Sequence, residues 1–286
     1  MAVLDHKIDF AVILTVSKAN PNGDPLNGNR PRQNYEGFGE ISDVAIKRKI
    51  RNRLQDIEES IFVQSNDRQS DQFNSLRERA EGNAVLKEMV KDKKKTNEDY
   101  AAAACKEWID VRSFGQVFAF KGGAGKGVSV GVRGPVTVQT AVSVAPIDIS
   151  SMQITKSVNS EPGEGKGSDT MGMKHRVDFG VYRFNGSINT QLAEKTGFTN
   201  EDAEKIKQAL ISIFENDASS ARPEGSMEVY KVYWWAHRSK LGQYSSAKVH
   251  HSLEIKAVND TPKRLEDYEI TLDKLEGLEA EVFDGR

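Results

Sequence analysis

The stretch Ser42-Asp43-Val44-Ala45-Ile46-Lys47-Arg48-Lys49-Ile50-Arg51-Asn52-Arg53-Leu54-Gln55-Asp56-Ile57 decides how the rest of the chain is read. Ser42 offers a side-chain oxygen to the free N–H groups of a helix start, and Asp43 favours the positive end of the helix dipole. Ile46, Ile50, Leu54 and Ile57 follow at spacings of 4, 4 and 3, which makes one apolar face. Lys47, Arg48, Lys49, Arg51 and Arg53 lie around it, with no acid between Asp43 and Asp56.

Outward from this helix, Ile8 to Val16 is apolar and β-branched and predicts a buried first strand. Between them, Asn20-Pro21-Asn22-Gly23-Asp24-Pro25-Leu26-Asn27-Gly28-Asn29-Arg30-Pro31-Arg32 is too dense in turn formers for a helix or central strand. It predicts a long structured loop ending in two arginines. Residues 64–104 are polar with helically spaced apolar positions and predict a surface helical insertion, loosely attached, with Asn97 capping a last helix towards Trp108. Val111 to Phe120 predicts a strand, Lys121 to Gly127 a flexible turn, and Val128 to Ile149 alternating strand character interrupted at Gly134-Pro135. Residues 150–176 lose regular periodicity around an exposed tip, Glu161 to Gly167. Val177 to Asn189 predicts a strand. Thr199 caps a second helix with Ala203, Ile206, Leu210, Ile213 and Phe214 on one face, and Met227 to Ala236 predicts a strand. Two more strands are expected near 247–258 and 268–272. Strand, helix, strands, helix, strand is the order of an α+β core of the ferredoxin-like or RRM-like kind.

Composition bounds the partners. A chain of 286 residues makes one large domain or two small ones. With 40 Lys and Arg against 42 Asp and Glu, bulk charge points to no nucleic acid, so that case rests on local clusters. Cys105 is the sole cysteine, which rules out an internal disulfide and fits a reducing cytoplasm. The apolar run Phe10 to Leu14 is too short for a signal peptide or membrane span, so a soluble cytoplasmic protein without a membrane partner is expected. The segment from Asn259 to Arg286 carries nine acids and four bases.

Lys47 and Arg51, one turn apart on one face, are spaced to neutralise successive phosphates. A solvated helix face would read the same, but Arg30 and Arg32 just upstream favour anion binding. Gly122 to Gly127 is not a P-loop, because the glycine required five residues before Gly125 is Phe120. Asp24, Asp43 and Asp148 suggest a metal-dependent nuclease, yet no spacing ties them, and a turn aspartate bonding its own backbone suits Asp24 better. His250 and His251, adjacent on an expected strand, face opposite sides and cannot share a metal. No cofactor or metal is expected. His175 belongs to a basic run with Lys174 and Arg176. Tyr233, Trp234 and Trp235 have the chemistry to stack bases, though such a strand is more often core.

Five blocks in order carry a family resemblance. They are Asn20 to Arg32 after the first strand; Ile41-Ser42-Asp43 with Ile46 to Arg51; Asp110-Val111-Arg112-Ser113-Phe114-Gly115; Gly134-Pro135-Val136-Thr137-Val138-Gln139-Thr140-Ala141; and Thr170 to His175 with Gly180-Val181-Tyr182-Arg183. Together they resemble the RAMP-superfamily backbone subunit of the type I-C Cascade complex, the seventh in the CRISPR-associated protein numbering. The resemblance implies a right-hand shape: palm from residues 1–63, 110–149 and 177–286, helical fingers from 64–109, and a β-hairpin thumb from 150–176. It implies a binding protein without catalytic residues, stacked head to tail along a CRISPR guide RNA. Its bases would pair with a target DNA strand, beside guide-processing, large and small subunits. Each thumb would displace one base at a regular interval.

For such a role the contacts should go to phosphate and sugar, since any guide sequence must be held. Arg30, Arg32, Lys47, Arg48 and Arg51 are the expected phosphate contacts. Gln153, Ile154, Thr155 and Lys156 open the thumb, and Met171, Met173, Lys174, His175 and Arg176 close it, with Ile154 or a methionine as wedge. Relatives that cut RNA with a loop aspartate make a metal-dependent endoribonuclease using Asp24 the alternative.

Overall fold

A computed structural model describes residues 2–92, 94–120, 128–155 and 171–286. The chain opens with β1 (Ile8–Ala19), the short strands β2 (Gly23–Asp24) and β3 (Arg30–Pro31), β4 (Phe38–Ile41) and helix α1 (Asp43–Asp56). Four helices follow: α2 (Leu76–Gly82), α3 (Ala84–Lys91), α4 (Asn97–Glu107) and α5 (Ile109–Phe114). Then come β5 (Gly115–Phe120), β6 (Val128–Arg133), β7 (Val136–Val138), β8 (Ala141–Pro146), β9 (Ile149–Thr155) and β10 (Met171–Ile188). Helices α6 (Thr190–Thr196) and α7 (Asn200–Ile211) lead to β11 (Met227–Ala236), α8 (Ser246–His251), β12 (Leu253–Ala257), β13 (Tyr268–Leu272) and β14 (Glu281–Asp284).

The main sheet is antiparallel, in the order β14-β11-β1-β10-β8-β4, with β7 and β9 also pairing to β10. Alternation along β1 splits its side chains between two cores. Ile8, Phe10, Val12, Leu14 and Val16 meet Ile46, Ile50 and Leu54 of α1 and Ile206 and Leu210 of α7. Ala11 and Ile13 turn to the opposite face, covered by α8, β12 and β13. Both helix starts were legible: Ser42 accepts from the Ala45 N–H, and Thr199 forms a reciprocal capping box with Asp202. Tyr233, Trp234 and Trp235 are all buried; Trp234 stacks on Phe10 and Tyr233 on Trp235 from opposite faces.

Several expectations need correction. Val111 to Phe114 is helical, not strand: Asp110 turns its carboxylate onto the backbone N–H groups of Phe62 and Val63, and Gly115, at φ 80°, ends the turn before β5. Gly134 lies against that junction, where a Cβ would fall 2.3 Å from the Ser113 carbonyl oxygen. Val128 to Ile149 forms β6, β7, β8 and the start of β9, with Gly134-Pro135 at the break between β6 and β7. The insertion is not loose, because Phe62, Leu86, Tyr100, Trp108, Phe118 and Val130 give it a buried core shared with the β5–β6 hairpin. Thr96 rather than Asn97 caps α4, with Asp99 answering it. Residues 247–251 form a helix, so His250 is buried at its end and His251 exposed. The helix α6 went unforeseen. Residues 149–155 and 171–177 form a regular ladder. The Lys121 to Gly127 turn and the Glu161 to Gly167 tip lie outside the described residues. No described helix is long and apolar enough to cross a membrane.

Candidate nucleic-acid interface

The loop from Asn20 to Arg32 folds as a braced arm. Asn20 donates to the Asn29 carbonyl at 2.7 Å, and Asn22 Oδ1 accepts from the Ser42 N–H at 2.9 Å, tying the arm to the start of α1. Asp24 accepts from the Leu26 N–H at 3.2 Å and stands 3.6 Å from Arg32. Asp24 is thus engaged locally, as a turn aspartate would be. Among the described residues no group of three His, Cys, Asp or Glu side chains is placed to hold a metal.

The arm carries Arg30 to the root of the β9–β10 hairpin. Arg30 Nη1 donates to Ser151 Oγ at 3.0 Å and lies 3.4 Å from His175 Nδ1; that nitrogen is 2.8 Å from the same hydroxyl. Three of the separately read segments therefore converge: the arm, the hairpin root and, through Asn22, the basic helix.

Register sorts the hairpin side chains onto two faces. Thr155 pairs with Met171, Gln153 with Met173, Ser151 with His175 and Ile149 with Val177. These share the face that continues into the principal core through Val177. Ile154, Met152, Lys174 and Arg176 take the other. Ile154, Met171 and Met173 are all exposed, so the hairpin offers an apolar residue on either side. Lys156 lies outside the described residues.

The basic helix divides its cations. Lys47 pairs with Asp43 at 2.9 Å on the surface. Arg48 donates to the Val63 carbonyl at 2.7 Å; burial, and then the charge of Arg51, hold its pKa below the usual guanidinium value. Arg51 is placed otherwise than expected. It is 12% exposed, bonds Asp110 at 2.9 Å and stacks over the Phe114 ring. Its charge ties α5 to α1 instead of facing solvent.

Lys49, Arg68 and Arg222 were missed. With Arg48 they line an open cleft of about 620 Å³ between α1, residues 65–68 and the loop after α7. Lys49 pairs with Asp217, and burial lowers its pKa to about 8 against the opposing pull of that carboxylate. Lys49 was visible in the run of cations, but only its place beside Ile46 and Ile50 hinted at burial; Arg222, in a turn-rich loop, gave no local signal.

The family model described as CRISPR-associated protein Cas7 matches residues 6–273. A curated relative of that same description, from Haloferax volcanii, is 24% identical, with 98% of this chain and 88% of the relative aligned. Two solved structures are matched as well. A chain of a "CRISPR RNA-guided surveillance complex, pre-nicking" is 14% identical at a TM-score of 0.47, covering 80% of this chain and 78% of that one. A chain of a "CRISPR RNA-guided surveillance complex" is 17% identical at a TM-score of 0.46, covering 80% and 68%. The match to the family model spans nearly the whole chain, and this protein belongs to the CRISPR-associated protein Cas7 family.

Proposed function

We propose that this chain is the repeating backbone subunit of a type I-C Cascade complex in the cytoplasm. It binds a CRISPR guide RNA through phosphate and sugar, stacks on copies of itself head to tail, and leaves the guide bases free to pair with target DNA. Guide-processing, large and small subunits complete the assembly.

The observation that carries the reading is the Arg30–Ser151–His175 contact, which gathers arm, hairpin and basic helix on one side of the sheet. Family membership supports it. The sub-order β11-β1-β10-β8, with α1 and α7 as the two crossovers, supports reading this sheet as an RRM-like palm. Residues 64–109 are the fingers and 150–176 the thumb. Arg30, Arg32, Lys47 and Arg48 take phosphates. Gln153, Thr155, Lys156, Lys174, His175 and Arg176 flank the strand. Ile154, or the Met171–Met173 pair, wedges out a base, with stacking worth ~1–3 kcal/mol offsetting the lost base–base contact. Arg51 leaves the contact set because Asp110 holds it. Binding, not cutting, is the proposed role, and the engagement of Asp24 with Leu26 and Arg32 gives the endoribonuclease alternative no support.

The test is purification from cells with and without a CRISPR array. Co-purified RNA of one discrete length, protected at regular intervals, is the expected result. Protein that comes away free of RNA from array-bearing cells would overturn it.

A further inference from the structure

We propose that the cleft between α1 and the loop after α7 is a phosphodiester subsite for single-stranded RNA, and that Asp217 occupies it until a phosphate takes its place. The proposal rests on the guide-binding reading and extends the interface to residues outside it. Four cations, Arg48, Lys49, Arg68 and Arg222, line the cleft against two acids, Asp67 and Asp217. One carboxylate oxygen of Asp217 takes both the Lys49 ammonium and, at 3.2 Å, the Arg222 Nε–H. An anionic oxygen shared by an ammonium and a guanidinium is also how a phosphate oxygen is held.

The neighbouring features suit an exchange of anions. Arg68 donates to the carbonyl of Asn216, whose backbone sits at φ 56°, so the residue that presents Asp217 is held in the left-handed region. Asn52 Oδ1, on a residue lining the cleft, is buried and finds no partner among the described residues. Lys49 is buried enough that it needs an anion beside it, and a phosphodiester carries the same single charge as Asp217. The cleft also adjoins Asn22 and Gly23 of the arm, so an RNA strand crossing the arm reaches it without a break.

The experiment titrates a labelled, mixed-sequence single-stranded RNA with the full chain over a range of salt, and records thermal melting of each variant. Removing the resident anion with D217N should tighten binding about tenfold at low salt. The log–log salt slope should steepen, because the cleft then holds a mobile anion that RNA must release. R222Q should weaken binding and make the slope shallower by ~0.7. A cooperatively melting D217N that binds no tighter than wild type overturns the proposal, as does R222Q with wild-type affinity and slope. If D217N does not fold, R222Q decides alone. Wild-type protein that fails to bind the RNA removes the guide-binding reading itself, and this subsite with it.

Discussion

Arg30 and His175 meet 145 positions apart in the chain, with the guanidinium 3.4 Å from the imidazole and Ser151 bonded to both. The contact joins the arm to the hairpin. Charge on the arm and the direction of the hairpin are therefore coupled.

Substituting R30Q should weaken binding of single-stranded RNA by a similar factor for every sequence, and lower the log–log salt slope by ~0.7. S151A, which removes no charge, should loosen the hairpin root but leave the slope at its wild-type value. Anisotropy titrations at several salt concentrations check both. An R30Q slope equal to wild type removes Arg30 from the phosphate contacts.

Lys47 and Arg51 share a helix face but should behave differently. K47Q should change the RNA salt slope and leave unfolding untouched, since its pair with Asp43 is at the surface. R51Q should cost about 3–5 kcal/mol, because Asp110, fully buried, loses its charge partner. Urea unfolding and RNA titration of the two variants separate the roles.

Stability should fall as pH drops through two windows. Burial pulls the His250 pKa below 6.5, only partly opposed by Asp9 and the Gly186 carbonyl. The folded chain thus binds fewer protons than the unfolded one below 6.5, and stability declines from there towards the folded value. Burial pushes Asp9 up, but hydrogen bonds from His237, Ser246 and Lys7 outweigh it and leave the carboxyl below 3.8. Its contribution is present above 3.8 and is lost as pH falls through the folded value. Urea melts across pH should show both limbs, with D9N reducing the lower one, which Asp71, Asp178 and Asp202 share, and H250Q flattening the upper.

Ile154 and the Met171–Met173 pair project from opposite faces of the hairpin. If the hairpin displaces a base, one face does it. Chemical probing of the bound guide should show regularly spaced reactive bases that disappear in either I154S or the M171S/M173S double variant, but not in both. Reactivity unchanged in both removes the apolar wedge.

What the sequence disclosed was local. The caps Ser42 and Thr199, the apolar rows of α1 and α7, and the strands β1, β11 and β13 each announce themselves within a few residues. What it concealed depends on distant partners. Val111 to Phe114 has the residues of a strand, and becomes helix where Asp110 reaches back to Phe62 and Val63. Spacing put Lys47 and Arg51 on one face, but not which of them would find Asp110. Asp217, 168 residues from Lys49, could not be read as its partner.

Strand β10 runs unbroken for 18 residues from Met171 to Ile188. At about 3.3 Å per residue it is a beam of roughly 60 Å, clamped along its inner part by β1 and β8 and paired beyond them with β9 alone. No loop or glycine turn between the two parts serves as a hinge. A load on the outer end bends the beam against the β1 ladder at the centre of the molecule. The projection therefore moves as a stiff lever, and swinging it aside means peeling hydrogen bonds from the middle of the sheet.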